Sequence, residues 1–460
     1  MKTYIHTIAH VLLAFTVILL CSCESFTEID MPQNQLTSES VFNDLSTANA
    51  ALSDIYSRIR DEGVSSGSLT SLTPLLANYA DDLTFYGTNV NIQAYNNHTI
   101  NPSTPYLSRL WKSAYSQIYA INSLIEGIKS TKSIAGIEHN RVLGEAIFLR
   151  AYLHSFLVNM HGDIPYVTST NYAINKSISK TPVKEVWAAI ITDLNLAEEL
   201  LTDNYPTKGR VRPNKGTVKA MLARTNLYTE NYTAAEAAAT AVINNPQYIW
   251  VNDPALEFLN NSSAIIWSLH PGIVGVNTVD AKNFNFTSGP PSKATLSLDL
   301  HNAFETADLR KTLWIKTVTS GSNSWYQPFK YKKTTNTGTS VENTILFRLA
   351  EQYLIRAEAR ARIGNIIGAQ LDLNKVRNRA GLNNTTANTE AALIVAIINE
   401  RRFEFFTEQG HRWFDLKRTG MLSQSLKNIK PGWRETDILL PIPESEISLN
   451  RNLLPQNQGY

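Results

Sequence analysis

The sequence predicts a mainly all-α fold, a scaffold of helix pairs carrying a loop-rich, partly β recognition region. Apolar residues recur at helical spacing over 111–243 and again over 349–380, the pattern of helices that each bury one face. Between about residue 246 and about residue 343 that period disappears. Gly, Pro, Ser, Thr and Asn there interrupt short strand-like runs such as Ala264-Ile265-Ile266-Trp267 and Phe329-Lys330-Tyr331. The 460 residues are 43% hydrophobic and 18% charged, with 21 Gly and 18 Pro. That balance allows a sizeable core and excludes a disordered or low-complexity chain.

The N-terminus reads as an address and an anchor. Met1, Lys2 and Thr3 precede an apolar run of ten at 11–20 (VLLAFTVILL), too short to cross ~30 Å of hydrocarbon comfortably, so residues 1–22 read as a signal peptide. Leu20-Cys21-Ser22-Cys23 resembles the bacterial lipobox. The resemblance implies that Cys23 is the lipidated first mature residue, carrying a diacylglyceryl thioether and an amide-linked acyl chain. More than one chain makes anchoring stable. An ordinary secretory signal, with Cys21 and Cys23 incidental, is the alternative. No later apolar run reaches ~18 residues, and the polar stretch 24–40 suits a short tether.

The helices follow in order. Trp111, Tyr115, Ile118, Asn122 and Ile125 lie at i, i+4, i+7, i+11 and i+14, and Val142, Ala146, Leu149, Leu153 and Phe156 repeat the stripe. These two segments read as an antiparallel pair. Val183, Val186, Trp187, Ile190, Leu194, Ala197 and Leu201 mark the next helix, with Thr181 as N-cap and Pro182 in its first turn. Val218, Met221, Leu222, Thr225 and Tyr228 form another. The segment 233–243 contains Ala234, Ala235, Ala237, Ala238, Ala239 and Ala241, so two backbones approach closely there. A similar pair returns at Leu349, Tyr353, Ala357 and Ala361, then at Ala369, Leu373, Val376 and Ala380. Small residues at facing positions of such hairpins resemble tetratricopeptide units, although their irregular spacing predicts no regular solenoid.

Charge and motif content narrow the function. Lys plus Arg number 42 and Asp plus Glu 40, a balance too even to collect a polyanion, so nucleic acid is not an expected partner. Cys21 and Cys23 are the only cysteines, which leaves the folded body no disulfide, thiolate metal site or cysteine nucleophile. HExxH, Gly-x-Ser-x-Gly, Walker-A and Gly-x-Gly-x-x-Gly patterns are absent from the sequence, and its nine histidines never fall at metal-ligand spacing. No cofactor or metal is expected. Asn97-His98-Thr99 and Asn231-Tyr232-Thr233 match the glycosylation acceptor, but a lipobox places the chain in a bacterium.

The densest ionisable cluster runs from Glu400 through Arg401, Arg402 and Glu404 to Glu408, His411, Arg412 and Asp415. Glu400 and Glu404 at i, i+4 could pair an acid with a base, and Asp415 could orient His411. Mutual ion pairs on the outer side of an apolar helix, ended by Gly410, account better for the same residues, so no catalytic residue is assigned. Asp81-Asp82 could hold a cation, but two adjacent acids in a Tyr-rich loop are more often solvated or bonded to backbone. Aromatic loops remain. Sugars lay their C–H faces on aromatic rings while amides and carboxylates bond the hydroxyl rim. The ligand-binding expectation is therefore Asp82, Phe85, Tyr86, Tyr95 and Asn97 in one loop-like segment and Trp314, Trp325 and Tyr326 in another. Trp111, Trp187 and Trp413 read as core.

The ordered set of motifs resembles the SusD/RagB family of Bacteroidota outer-membrane lipoproteins over nearly the whole mature chain. The matching pieces are the lipobox at Cys23, the segment 32–55, Trp111-Lys112-Ser113-Ala114-Tyr115 with 118–122, Arg212-Pro213-Asn214-Lys215-Gly216 leading to 220–224, and 348–360. Most specific are Asn399-Glu400-Arg401-Arg402, Gly410-His411-Arg412-Trp413-Phe414-Asp415-Leu416, Leu440-Pro441-Ile442-Pro443 and Gln456-Asn457-Gln458-Gly459-Tyr460. Phe405-Phe406-Thr407 and Gln458 depart slightly from the family pattern.

The resemblance implies an N-terminal region at 23–244 with tetratricopeptide-like pairs. It implies a C-terminal region at 245–460, loop-rich over 245–343 and helical over 344–420, packed with the first as one unit. It implies a binding protein rather than an enzyme, lipid-anchored in the outer membrane and facing outward, that captures oligosaccharide for a SusC-like TonB-dependent transporter. The family's ligand contacts follow no shared motif, so none is carried over by position. Peptide capture on the same scaffold, a surface glycoside hydrolase and a purely structural lid are the rival readings.

Overall fold

The computed structural model describes residue 42 and residues 44–460. The signal segment, Cys23 and the tether over 24–40 lie outside the described residues. The first described helix, α1 (Leu45–Asp61), opens on Asp44, whose carboxylate accepts from Thr47 N at 3.2 Å, and it buries Ala48, Leu52, Ile55 and Ile59. After α2 (Leu72–Tyr79) and α3 (Val90–Asn96) come the two long helices α4 (Pro105–Ser130) and α5 (Gly136–His161). Helix α4 is amphipathic. Helix α5 is buried on nearly every side from Val142 to Val158, because α1, α4 and α6 (Val183–Leu200) all pack against it.

Helix α6 begins one residue later than expected. Thr181 does not cap it, because its backbone N–H and C=O are both taken by Ile164 in an isolated bridge; Pro182 precedes the helix and Val183 N donates to Asp163 Oδ1 at 2.9 Å. Asn214 starts α7 (Lys215–Tyr228) with a reciprocal capping box to Thr217. The alanine-rich segment is α8 (Tyr232–Ile243), and its Ala235 and Ala239 are fully buried against Ala223 and Leu227 of α7 and Ile355 and Ala359 of α9 (Leu349–Arg362). Helix α9 pairs in turn with α10 (Ile366–Arg379) through Ala357, Ala361, Ala369 and Leu373, and α11 (Glu390–Phe405) closes that core with Leu393, Ile397 and Ile398. The result is the expected helical, tetratricopeptide-like scaffold of successively packed pairs.

Among the described residues the β structure is three two-stranded antiparallel sheets, drawn mostly from the segment between α8 and α9. β2 (Ile265–Leu269) pairs with β6 (Thr344–Arg348), which runs directly into α9. β4 (Ile315–Ser320) and β5 (Asn323–Pro328) form a hairpin, and β1 (Leu83–Phe85) pairs with β3 (Ala294–Leu296). Phe329-Lys330-Tyr331 is not a strand. Lys330 turns inward, its ammonium donating to the backbone oxygens of Glu404 and Phe406 and to Glu408 Oε1, so this stretch leaves the ladder just past β5.

The acid-rich cluster on α11 faces inward, contrary to the expected outer face. Glu400, Arg401 and Glu404 are buried. Glu404 meets Arg310, Arg348 and Arg379, while Glu400 meets Arg310 at 2.7 Å and Arg377 at 3.3 Å. Helix α11 ends at Phe405, before Gly410. Gly410 has left-handed backbone (φ 72°) at the start of α12 (His411–Arg418), and a Cβ there would stand 2.7 Å from Leu76 Cδ1. Among the described residues no helix is long and apolar enough to cross a membrane.

Candidate functional site

Antiparallel pairing brings the two aromatic loop segments to the same loop. Phe85 sits opposite Ala294, and Tyr86 N extends the ladder by donating to Lys293 O at 3.3 Å. Residues 286–293 lie beyond that point, and the Trp325 indole rests against Gly289 among them: a Cβ on Gly289 would stand 2.1 Å from its Cζ3. Strand β5, which carries Trp325 and Tyr326 opposite Val318 and Thr317, packs on β3. Tyr86 and Trp325, 239 positions apart in sequence, therefore flank one loop.

The loop is held from beneath. Phe286 N donates to Gln327 Oε1 at 2.6 Å, Asn285 Nδ2 to Tyr331 O at 3.1 Å, and the Lys293 ammonium to the backbone oxygens of Lys282 and Asn285. On the other flank Asn96 Oδ1 accepts from Phe85 N at 3.2 Å, Asn96 Nδ2 donates to Asn97 Oδ1 at 2.8 Å, and Gln93 Nε2 donates to Gly87 O at 3.1 Å. Tyr86 is exposed, as is Asn97; Trp325 is half-buried. Tyr326 stacks face to face on His301, centroids 3.4 Å apart and planes within 9°. Burial lowers the His301 imidazole below its ordinary pKa, which favours the neutral ring in that stack. Such half-exposed rings held against fixed loops offer flat apolar platforms edged by amides.

Three expected ligand contacts are corrected by burial. Trp314 is core: its indole N–H donates to Pro254 O at 2.9 Å, and its ring lies among Phe258, Phe304 and Ile315. Tyr95 is fully buried, edge-on to Tyr79 at 5.9 Å. Asp82 is buried too; its Oδ2 accepts from Thr407 N at 3.1 Å and its Oδ1 has no partner. Phe85 and Tyr326 are partly covered, packing against the same core as Trp314. The phase of each short element decided these outcomes, and a loop-like stretch of sequence does not reveal it.

The neighbouring acids are structural supports. Burial raises Asp81, but the Arg412 and Arg402 guanidiniums outweigh it and bring its carboxyl down to about 2. Arg412 grips both oxygens of Asp81 at 2.6 and 2.7 Å, where a cation would otherwise sit. Burial, and then the Asp81 charge, push Asp82 up to about 7. The Lys430 ammonium, lowered to about 8 by burial against the pull of Asp81 and Asp82, donates to Asn78 O and Leu83 O and so fixes the start of β1.

The proposed hydrolytic carboxylates are sealed. Glu400 and Glu404 are paired to arginines, and Arg401 holds Asp415 at 2.7 Å and His411 Nδ1 at 3.3 Å. Among the described residues no group of three or more His, Cys, Asp or Glu is placed to hold a metal. Sequence reasoning missed His301, Gly289 and Lys293, none of which carries a local signal. Only the fold brings them beside Tyr326, Trp325 and Tyr86.

Residues 144–460 match the SusD family, and residues 31–227 match a family described as starch-binding and associating with the outer membrane. The chain therefore belongs to the SusD family. It is 27% identical to SusD-like protein P2 of Formosa agariphila over 97% of this chain and 99% of that protein. A shorter match, 41% identical over 123 residues, covers 25% of this chain and 21% of the starch-binding protein SusD of Bacteroides thetaiotaomicron. Among solved structures, a SusD superfamily protein from Bacteroides vulgatus superposes with TM-score 0.80 at 21% identity, covering 91% of this chain and all of that one. A laminarin-binding SusD-like protein superposes with TM-score 0.77 at 25% identity, covering 90% and 99%.

Proposed function

We propose that this protein captures a neutral oligosaccharide at the outer surface of the cell and passes it to a SusC-like TonB-dependent transporter, without cleaving it. The observation that carries the proposal is the placing of Tyr86 and Trp325 on either side of loop 286–293, with Asn97 exposed nearby. Family membership supports it, as do relatives named for starch and laminarin binding. The anchor in this proposal is Cys23, with the tether over 24–40 giving the folded body reach. Weak capture suffices, because a ligand held at a dissociation constant of ~10 µM to 1 mM beside its transporter has a high effective concentration there. The buried, arginine-paired state of Glu400 and Glu404 supports binding without cleavage by those carboxylates.

The test is calorimetric titration of the protein from residue 24 onward with panels of neutral oligosaccharides and of peptides, with the products analysed for new reducing ends. Saccharide binding that falls when Tyr86 or Trp325 becomes Ala is the expected result. Binding confined to peptides, or release of reducing ends, overturns the proposal.

A further inference from the structure

A second concave surface shares no residue with the Tyr86–Trp325 loop. Its floor is the stripe Trp111, Tyr115 and Tyr119 of α4, at i, i+4 and i+8. One wall is the segment 165–178 and the other is residues 446–453, and the cavity they enclose measures about 390 Å³. That size falls in the range of small-molecule sites.

The groove is preformed. Trp111 is fixed edge-on to His161 at 4.9 Å and lies 4.9 Å from the Tyr115 ring, while the Tyr115 hydroxyl donates to Pro165 O at 2.9 Å. Side chains of the second wall bond the backbone of the first: Asn450 Nδ2 donates to Ile178 O at 2.7 Å and Asn452 Nδ2 to Ser177 O at 2.6 Å. Glu126 of α4 accepts from Thr170 N at 2.9 Å and so secures the first wall to the floor. Little ordering therefore remains to oppose a ligand.

Its rim leaves large apolar side chains in water. Tyr119 is 56% exposed, Tyr172 78% and Leu449 80%. Such a concentration of exposed rings in a concavity is unusual on a soluble surface. Polar groups alternate with the rings: Asn175 on one wall, Glu446 on the other and Lys176 beside Tyr172, with its ammonium 5.9 Å from the ring centroid. A lipid tail has no use for these charges. Flat rings interleaved with amide, carboxylate and ammonium groups complement a neutral ring that has one apolar face and a hydroxyl edge.

We infer that this groove is a second binding site for neutral saccharide, with Tyr119 and Tyr172 as stacking platforms and Glu446, Asn175 and Lys176 as hydroxyl partners. The inference rests on the capture function proposed above and adds a second hold on the same polymer. Two sites on one chain raise retention of a long glycan well beyond either site alone, whereas a short oligosaccharide sees only their separate affinities.

The experiment is affinity electrophoresis through gels containing starch, laminarin and other neutral plant and algal polysaccharides, together with calorimetry on soluble oligosaccharides of each. Wild type, the Tyr119→Ala/Tyr172→Ala double variant, Trp325→Ala and the conservative Tyr119→Phe/Tyr172→Phe pair are compared, with melting temperature as the folding control. For the polysaccharide that retards wild type, the double Ala variant should lose about tenfold in retention at unchanged melting temperature. The Phe pair, which keeps the rings, should recover most of the loss, and adding Trp325→Ala to the double Ala variant should abolish retention. Retention that falls with Trp325→Ala but not with the double Ala variant overturns the second site and leaves the capture function standing. Absence of retention and heat on every glycan, for wild type itself, overturns both.

Discussion

Arg310 Nη1 donates to Glu404 Oε2 at 3.0 Å, across 94 residues of sequence and with both side chains wholly buried. Arg310 comes from the short helix Leu309–Leu313 in the loop-rich region, and Glu404 from α11 of the scaffold. Asp308 grips the far side of the same guanidinium at 2.8 Å, and Arg348 and Arg379 reach Glu404 from β6 and α10. The burial cost of these charges is offset only while each keeps its partners. The network thus fastens the loop-rich region to the helix pairs.

Glu404→Gln keeps the side chain's shape but removes the charge shared by three buried arginines. Urea unfolding should show a loss of about 3–5 kcal/mol, the usual cost of breaking a buried pair. Saccharide affinity of the fraction still folded should be unchanged. A loss below about 1 kcal/mol would mean that water reaches the network.

Asp82 should leave a signature in stability against pH. Its folded pKa is raised from 3.8 to about 7 by burial and by Asp81, so the folded state holds the proton more tightly than the unfolded chain does. The stability contributed by the protonated carboxyl is fully present below about pH 4 and is lost as pH rises through about 7. Asp82→Asn is neutral throughout, so its advantage over the parent should grow between about pH 4 and pH 7 and then level off. A difference that stays constant over that window would refute the assignment.

Trp314 and Trp325, eleven positions apart, should respond differently to truncation. Trp314→Ala opens a cavity in the core and should cost about 3–5 kcal/mol of stability. Trp325→Ala removes a half-exposed ring and should leave stability within about 1 kcal/mol while weakening saccharide binding about tenfold. Parallel melting curves and titrations read both effects.

Gly289→Ala tests the same surface without deleting a ring. The new methyl would stand 2.1 Å from Trp325 Cζ3, so the indole must swing off the loop. Altered Trp emission with a drop in affinity, at nearly parental melting temperature, is the expected pair of observations. Unchanged emission and affinity would show that the indole does not rest there in solution.

Ala239→Leu probes the close approach of α7, α8 and α9. Ala239 is fully buried with Ala223 and Ile355, and extra volume there should cost about 1–3 kcal/mol. Saccharide titration of the folded protein should be unaffected, which separates scaffold from site.

Helix identity was legible in the chain because it depends on neighbours three and four residues away. The stripe from Trp111 to Ile125, the central helix through Val142 and Phe156, and the alanines at 235, 239, 357 and 361 all took their expected roles. The lost period between α8 and α9 likewise announced loops and short strands. Orientation was not legible where burial depended on distant partners. Glu400 and Glu404 look like a solvated face until Arg310, Arg348 and Arg379 arrive from other elements to neutralise them. Asp82, Tyr95 and Trp314 look like loop residues until β1 pairs with β3 and the segment after β5 turns Lys330 inward.

The sequence by itself therefore determined the helical scaffold, the family and the kind of side chain available for recognition, since these rest on local spacing and ordered motifs. Only the tertiary structure decided which aromatics stay at the surface. That depends on strand pairing across more than two hundred residues, which placed Tyr86 and Trp325 around one loop and left Trp314, a few positions away, in the core.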